Sequence, residues 1–533
     1  MQLKVKSFFV NQFYFIWFLC AIFHWIVGNY LMKDFYSYRL SDIFVDQKWF
    51  WLRITFFMIL CAFYRFLFFW IHSRNKYWIA FSLAYTLINV GLLFLTWPGI
   101  WRWDEFTIYI NALLQTLLYW QGYLTSLYYI FSIMFIPVIA APIVVMIVIN
   151  SFIVGYVISK AIKMWGKKGM LLFIPFLFFP VLDSNLYPIR MSQCAFLELL
   201  LIVLVYQYAN RESIFKKQLF FLLFVAAIVT VWRSESIYYI FLFPLVLWLF
   251  FSKKLGNKKM LIIILSYFCM TAILFAPQYR GNKNDNLDNY DLTSTVLPIL
   301  PLIEAANEQN DTESLEKLNQ VINVELALDG VESGISGIDL YWSSPDFKRE
   351  YNSEQYNEYK KTYYKLILRY PVVFLKERCS CFIHSNGFVG NTMGIFDIDG
   401  VGKYDWFRSL KGAEPFDKEI RKKTISILEL RKEDNYYEPI LGFRVVYNVI
   451  IPIVLLFAII ICLIWQKRIQ EAALLFLVWM KVPLIFLTAP ERYFMYYYAV
   501  YLVGYVVFAA FLIDYLGKKL YEKKQEKEIF PIE

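Results

Sequence analysis

The chain has 533 residues, of which 59% are apolar, 20% aromatic and 18% charged, and its formal net charge is +10 at pH 7. About a quarter of the residues of a soluble globular domain carry a charge, so this composition excludes an ordinary soluble enzyme. The apolar excess requires a second solvent, which is the lipid bilayer. The positive charge does not indicate nucleic-acid binding, because no basic face with groove-reading or base-stacking elements accompanies it.

Twelve apolar segments, some of them short, are candidates for membrane spans, since about 20 apolar residues cross about 30 Å of hydrocarbon. The first segment is too long for a signal peptide and lacks small residues at a cleavage site, so we expect a retained anchor. The tract 123–162 holds either an interfacial helix and one span or two spans, and the charge pattern favours one span. In chain order the candidates are 8–31, 50–71, 77–97, 138–159, 170–183, 190–209, 218–232, 237–251, 260–277, 441–465, 470–488 and 493–514.

Lysine and arginine residues cluster in alternate short loops, and the positive-inside rule places such loops in the cytoplasm. With the N-terminus inside, every basic loop falls on the cytoplasmic side. The sequence therefore predicts a multi-pass protein of a plasma membrane with both termini cytoplasmic, and the Lys-, Tyr- and Ile-rich composition is typical of bacteria. The basic positions are Arg74, Lys76, Lys160, Lys163, Lys167, Lys168, Arg211, Lys216, Lys217, Lys253, Lys254, Lys258, Lys259, Lys467, Arg468 and the tail from Lys518 to Lys527.

One long hydrophilic stretch, 279–440, contains 20 basic and 27 acidic residues, a balance that is typical of an exterior domain. The predicted fold is an all-α polytopic membrane protein with about twelve transmembrane helices and a mostly helical extracytoplasmic domain before the last three spans. Four parts follow from this: an N-terminal membrane domain, 1–278, with about nine spans and an exterior loop at 98–137; the extracytoplasmic domain, 279–440; a C-terminal membrane domain, 441–516; and a basic cytoplasmic tail, 517–533.

Within the exterior stretch, apolar residues recur at helical spacing over 302–328, which predicts one amphipathic helix. Ser344 and Pro345 favour a second helix start, and this helix is expected to continue to Pro371, where proline stops or kinks it. The tract 372–383 is apolar with three interposed charges, a pattern that indicates a helix in the membrane surface. The segment 387–402 is rich in Gly, Asn and Asp and is expected to be an irregular loop.

The segment Trp-Pro-Gly-Ile-Trp-Arg-Trp-Asp-Glu, 97–105, directly follows the third predicted span. Pro98 and Gly99 are expected to end that helix and to leave Asp104 and Glu105 just above the hydrocarbon. A carboxylate at this depth is able to act as a general base. The alternative is a solvated acidic pair beside an aromatic belt, and the local sequence favours this alternative when taken alone.

Other ionisable residues collect at the exterior ends of the spans. Carboxylates and guanidinium groups beside lipid are expected where a charged lipid head group is handled, because arginine offers a fixed donor fork to phosphate. Arg233 and Glu235 join two short spans, and they form either a structural clasp with each other or a phosphate site. Lys481 stands within a span and requires a partner. His384 is the one exterior histidine, and no metal site can be assembled from the three histidines. The remaining members of this set are Asp183, Arg190, Glu491 and Arg492.

In the Trp-Asp-Glu of its first large exterior loop, the interfacial helix after it, the many spans and the later exterior domain, the chain resembles the C-type glycosyltransferase superfamily of polytopic membrane enzymes. Four further tracts carry the resemblance: Phe179–Pro188, Trp232–Glu235, Leu366–Arg378 and Ala489–Tyr493. The resemblance implies transfer of a sugar from a polyprenyl-phosphate donor to a cell-surface glycan or lipid acceptor on the outer face of the membrane. The family's acid follows the first span, whereas here it follows the third.

The resemblance also implies roles for single residues. The family's catalytic base maps to Asp104, with Glu105 as neighbour or substitute, and the sugar is transferred with inversion. Cations at the interface would stabilise the leaving phosphate. Some members of the superfamily need a divalent metal such as Mg²⁺ or Mn²⁺, for which Asp104 and Glu105 are the candidate ligands. The expected donor-phosphate residues are Arg233, Arg492, Lys481 and Arg190, and the expected supporting or acceptor-side residues are Asp183, Glu235, Glu491 and His384.

Two other functions stay open. A surface-polysaccharide polymerase or ligase would rely on exterior Arg and His residues and would change the length of a glycan without changing its sugars. A transporter or lipid-linked glycan flippase would line a central path with Glu198, Lys481 and Arg65. It would also show paired halves, and the sequence shows no second half that repeats the first.

Overall fold

The computed structural model describes residues 2–35, 47–211, 216–284, 287–386, 400–432 and 438–529. In these ranges the chain is helical and forms no strand, and its β pairing is limited to two isolated bridges, Ile322 with Lys348 and Arg431 with Pro439. The protein is therefore an all-α protein, as its sequence predicts.

Eleven α-helices precede residue 285. They are α1 (Gln2–Phe35), α2 (Gln47–His72), α3 (Lys76–Leu95), α4 (Trp103–Leu113), α5 (Tyr123–Phe135), α6 (Ala141–Trp165), α7 (Phe179–Ser184), α8 (Arg190–Ala209), α9 (Lys216–Trp232), α10 (Tyr239–Leu255) and α11 (Asn257–Asn284). The described part of the exterior stretch and the residues just after it add α12 (Val296–Glu308), α13 (Thr312–Asn319), α14 (Val324–Glu332), α15 (Gly337–Ser343), α16 (Ser353–Arg369), α17 (Pro371–Ser385), α18 (Asp405–Arg408), α19 (Lys418–Leu428) and α20 (Phe443–Val446). The last four are α21 (Ile450–Trp465), α22 (Ile469–Trp479), α23 (Lys481–Thr488) and α24 (Tyr498–Ile529).

Nine helical segments within the described residues are long and apolar enough to cross a bilayer. Their lengths and hydropathy support a multi-pass membrane protein. The twelve-span arrangement stays a prediction. The nine are Phe50–His72, Lys76–Leu95, Ala141–Leu177, Arg190–Ala209, Ser234–Leu255, Asn257–Lys283, Phe443–Trp465, Ile469–Thr488 and Phe494–Gly517.

Four of the twelve predicted spans look different in the structure. The predicted span 8–31 lies in α1, whose apolar segment Phe15–Leu31 is too short to join the nine. The predicted span 218–232 corresponds to α9, which has 17 residues and is too short to join the nine. The predicted spans 138–159 and 170–183 fall largely in one apolar segment, which turns at Gly166, where φ is 62°. Beyond this turn a 3₁₀ helix, Gly166–Leu177, packs back against α6, so closely that a Cβ at Gly169 would meet the Ala161 backbone.

Two compact units make up the chain, and each is built from separate stretches of sequence. Unit 1 comprises Met1–Val203, Ile398–Glu429 and Val506–Glu533, and unit 2 comprises Leu204–Asp397 and Leu430–Tyr505. The exterior stretch therefore contributes to both units, and its last part, 398–429, belongs with the N-terminal helices. The four sequence-based domain boundaries stay a prediction.

The helical part of the exterior stretch in unit 2 has its own apolar core, which α12 and α16 largely supply. Burial of such a cluster drives the packing of these short helices. Its fully buried members include Val296, Ile299, Leu302, Ile303, Ala306, Leu318, Val321, Ile322, Ala327, Phe347, Tyr359 and Leu366.

Two sequence-based helix predictions in this region are wrong in their extent. The tract 302–328 is divided among α12, α13 and α14, because Asn310 adopts a positive φ of 51° and Asp311 then caps α13. The helix expected to start near Ser344 begins at Ser353 instead, where Asn352 and Gln355 form a reciprocal capping box. Its predicted end before Pro371 is confirmed. Most of the predicted loop 387–402 lies outside the described residues.

Candidate functional site

The segment 96–104 positions the predicted catalytic acids in unit 1. Helix α3 ends at Leu95, and Gly99 then takes a φ of 94°, which a residue with a side chain rarely adopts. Helix α4 starts at Trp103, so Asp104 and Glu105 both lie in its first turn. A helix N-terminus favours negative charge, which suits both carboxylates. Because α3 ends at Leu95, the predicted helix end at Pro98 and Gly99 is confirmed.

Residues of the exterior stretch hold this segment in place. The buried guanidinium of Arg421 on α19 donates from Nε to the Thr96 carbonyl at 3.2 Å and from Nη2 to the Gly99 carbonyl at 2.8 Å. The backbone N–H of Gly400 donates to the Trp101 carbonyl at 2.6 Å. The start of α4 is therefore fixed by residues some 300 positions later in the sequence, and no local motif signals this contact.

The half-buried carboxylate of Asp104 lies beside Gln121, whose side-chain amide donates to Asp104 Oδ2 at 2.8 Å. The guanidinium of Arg190 donates to the backbone carbonyl of the same Gln121. Gln121 thus links the predicted base to one of the predicted phosphate-binding cations, and both belong to unit 1. No sequence pattern singles out Gln121, because a glutamine in an interfacial loop has no distinguishing signal.

The second acid, Glu105, has a different environment. It is buried and forms an ion pair with Arg102, with Nη2 and Oε1 3.5 Å apart. Arg102 also lies over the ring of Tyr187, at 5.2 Å from its centroid. Glu105 is thus part of a buried cluster, whereas Asp104 remains partly accessible.

Tyr187 lies at the centre of this buried cluster. Its hydroxyl donates to Glu429 Oε1 at 2.5 Å. Burial raises the pKa of Tyr187 well above its ordinary value, and the nearby carboxylates of Glu429 and Asp183 raise it further, while Arg102 opposes them. The predicted acceptor-side residue Asp183 is fully buried within this network. A supporting or acceptor-side role for Asp183 stays a prediction.

A cavity of about 180 Å³ lies along α4 in unit 1. Four of its lining residues recur on one face of α4, and Thr107 stands one helical turn after Asp104. Lys403 approaches the rings of Trp103 at 5.7 Å and Tyr404 at 6.0 Å. The cavity is lined by Trp103, Phe106, Thr107, Ile110, Tyr404 and Trp406.

The remaining predicted cations lie in unit 2. Arg233 is buried and paired with Glu235, as the clasp interpretation predicts. Both residues, together with Glu491, are close enough to Tyr496 to interact with it electrostatically. Three of the predicted residues are therefore gathered around one tyrosine that the sequence analysis did not single out.

Other predicted residues of unit 2 lie along α17 and α23. Arg492 pairs with Glu377 on α17, with Nη2 and Oε1 3.1 Å apart. His384 is half-buried, and its Nδ1 lies 2.7 Å from the Ser380 carbonyl one turn earlier on the same helix. Lys481 is buried at the start of α23. The histidine contact is a local structural one.

The sequence analysis gave no role to Arg378, although this residue is the most deeply buried cation of the described chain, with no exposed surface. Its Nη1 donates to the Ala489 carbonyl at 2.9 Å. A charge placed between Lys376 and Ile383 in an apolar tract is the signal that could have marked it. Neither that tract nor its helical pattern shows which of the charges is buried.

The Asp104 and Glu105 pair offers little to a divalent metal. Glu105 is engaged by Arg102, and the described residues contain no group of three or more His, Cys, Asp or Glu side chains placed to hold an ion. Such a site usually needs more oxygen ligands than this pair supplies. Asp104 and Glu105 therefore do not form a complete divalent-metal site by themselves.

No protein-family model matches the chain, and no curated protein or solved structure shows significant similarity to it.

Proposed function

We propose that this protein is a membrane glycosyltransferase that moves a sugar from a polyprenyl-phosphate donor to a cell-surface glycan or lipid acceptor. One observation carries the proposal. Helix α4 bears the half-buried carboxylate of Asp104, and four other residues of the same helix line an aromatic cavity. The apolar C–H face of a sugar ring packs well on an aromatic face, and such cavities need few polar groups to orient a ligand. The bilayer around the apolar helices would present a lipid-linked donor.

The chemistry assigned to unit 1 is a single displacement. An acceptor hydroxyl attacks the anomeric carbon, and its proton passes to the carboxylate of Asp104. The bond between that carbon and the phosphate oxygen breaks, and its electron pair leaves with the polyprenyl phosphate, so the sugar configuration inverts. Gln121 orients Asp104 through its amide, and Arg190 supplies positive charge for the leaving phosphate.

The expected membrane arrangement completes this proposal. The reaction takes place on the extracytoplasmic face of a bacterial plasma membrane, with about twelve spans and both termini in the cytoplasm. Tyr404 and Trp406, from the exterior stretch, contribute to the cavity and hence to acceptor binding.

A substitution that preserves shape tests the role of Asp104. The native host without its own copy would receive wild type, Asp104→Asn or Asp405→Asn, and the monosaccharides of its surface glycan would be measured. Asp405 is a matched control, because it is an exposed aspartate of the same unit that pairs with Arg408. We expect Asp104→Asn alone to lose one sugar from the glycan.

Other outcomes would favour the rival functions. An unchanged sugar composition with altered chain length would indicate a polymerase or ligase. A glycan unchanged in both respects would remove Asp104 from the chemistry and return a transporter to consideration. Of the residues that a transporter would use, Glu198 is fully buried on α8, while Arg65 is exposed on the surface of α2.

A further inference from the structure

Arg378 on α17 carries a buried positive charge that the described residues of unit 2 do not neutralise. Its side chain has no exposed surface, and its Nε and Nη2 atoms have no hydrogen-bond partner among the described residues. One carbonyl, that of Ala489, accepts from its Nη1. Among the described acids the neighbouring Glu377 pairs with Arg492, so Arg378 does not have that carboxylate to itself.

Three contacts in register join α17 to the segment Ala489–Arg492. Arg378 donates to the Ala489 carbonyl, the Cys381 thiol lies 3.6 Å from the Glu491 carbonyl, and Glu377 pairs with Arg492. Both arginines are also close enough to Cys381 to act on its thiol electrostatically. Arg492 also has an unpartnered nitrogen, Nε, which is itself buried.

The positive charge of these arginines affects the pKa values of neighbouring groups. Burial raises the pKa of the Cys381 thiol, whereas Arg378 and Arg492 both act to lower it. Burial also raises the pKa of the Tyr363 hydroxyl on α16, and Arg378 again opposes the rise. Both arginines therefore act on one small region, and Glu377 is the carboxylate that faces them there.

An arginine that is buried without a counter-ion is costly, and its cost disappears when an anion completes the site. We propose that Arg378 and Arg492 bind a phosphate group in unit 2. Together they leave two unused donors on one guanidinium and one on the other. Planar guanidinium forks match the oxygens of phosphate, and lipids bring such a group to the ends of membrane helices.

The side chain of Arg492 gives access to this site. It is 37% exposed, whereas Arg378 has no exposed surface. A phosphate therefore meets Arg492 first and reaches the donors of Arg378 when the pair with Glu377 opens. This site belongs to unit 2, and it does not depend on the transfer chemistry assigned to Asp104.

Thermal unfolding of the purified full chain in uncharged detergent tests the proposal. The probes are inorganic phosphate, dioctanoyl phosphatidic acid and, as the control without phosphate, dioctanoylglycerol. A ligand that binds the folded protein raises the unfolding temperature with its concentration. We expect at least the phosphatidic acid to do so and dioctanoylglycerol to have no comparable effect.

Two substitutions connect this response to Arg378. Arg378→Met removes the unmatched charge, so without a probe its unfolding temperature should equal or exceed that of wild type, and the response to phosphate should be lost. Arg378→Lys keeps the charge but not the fork and should weaken binding about tenfold. Arg369→Met, which removes an exposed arginine from the adjacent helix α16, should respond as wild type does.

Each outcome decides the question. A response to both phosphate probes that is lost in Arg378→Met supports a site for phosphate from either source, and a response to phosphatidic acid alone supports a lipid phosphate. No response to either probe, an equal response to dioctanoylglycerol, or an unchanged response in Arg378→Met would overturn the proposal. If Arg378→Met does not fold, an unweakened response in Arg378→Lys would overturn it.

Discussion

Two adjacent acids of identical charge have different surroundings in the structure. Asp104 and Glu105 are neighbours in the first turn of α4, yet only Glu105 is buried against an arginine. Asp104 is oriented by the neutral amide of Gln121 and stays partly accessible. An accessible, oriented carboxylate is the better general base, since it must reach the proton that it removes. We therefore assign the base to Asp104 and a structural role to Glu105.

The aromatic cavity gives a prediction for Trp103, which is 59% exposed and lines it. Trp103→Ala should raise the acceptor concentration needed for half-maximal transfer about tenfold, as expected for loss of about 1.4 kcal/mol of binding energy. The maximal rate should change much less, because Asp104 is retained. The measurement is transfer activity in isolated membranes as a function of acceptor concentration.

Trp342→Ala serves as its control, since Trp342 is 60% exposed on α15 in unit 2 and does not line the cavity. If Trp103→Ala leaves the dependence of the transfer rate on acceptor concentration unchanged, the cavity does not bind the acceptor through Trp103.

At the level of helices, the break between α12 and α13 predicts how the stability of this region depends on pH. Asp311 caps α13 by accepting hydrogen bonds from Ser314, and it pairs with Arg369 on α16 at 2.5 Å. Desolvation raises the pKa of Asp311, but the hydrogen bonds from Ser314 and the charge of Arg369 outweigh it, so its pKa is lowered on folding. A lowered pKa stabilises the folded state above the ordinary value of about 4, and this stabilisation is lost as pH falls through the folded value.

Asp311→Ala should therefore destabilise this helical region by about 1 kcal/mol near neutral pH, the usual value of a helix cap. The difference from wild type should shrink as pH falls from about 4, where the unfolded carboxyl takes up a proton, through the lowered folded pKa, where the folded carboxyl does so too. Hydrogen exchange of the α13 amides between pH 3 and 7 would measure it. A difference that grows towards acid pH would contradict this assignment.

These helices also show how far the sequence could predict the elements. Pro98, Gly99 and Pro371 act on their own backbone, so the helix ends that they mark were predicted correctly. The break at Asn310 was missed, because apolar residues recur at helical spacing on both sides of it. Gln121, Arg378 and Arg421 were missed for another reason: their roles depend on partners 17, 111 and 325 positions away. Asp104 and Arg190 were predicted, but their connection through Gln121 was not.

At the scale of the whole molecule, the orientation of the exterior stretch makes a prediction about native cysteines. Cys379 on α17 is exposed and Cys381 is buried. A membrane-impermeant maleimide added to intact cells should therefore label wild type at Cys379, and Cys379→Ser should remove most of the labelling. In that variant, a cysteine placed at Lys168, in a predicted cytoplasmic loop, should react after the membrane is permeabilised. Labelling of this cysteine in intact cells would contradict the proposed orientation.

The central claim is that Asp104 is the base for sugar transfer from a lipid-linked donor. Its most direct test is the amount of polyprenyl-phosphate sugar in cells that carry wild type or Asp104→Asn, measured by mass spectrometry of extracted lipids. We expect the donor to accumulate in the Asp104→Asn cells, because it still forms but is no longer consumed, and to stay at the wild-type level in Asp405→Asn cells. A donor pool that Asp104→Asn leaves at the wild-type level would contradict the account.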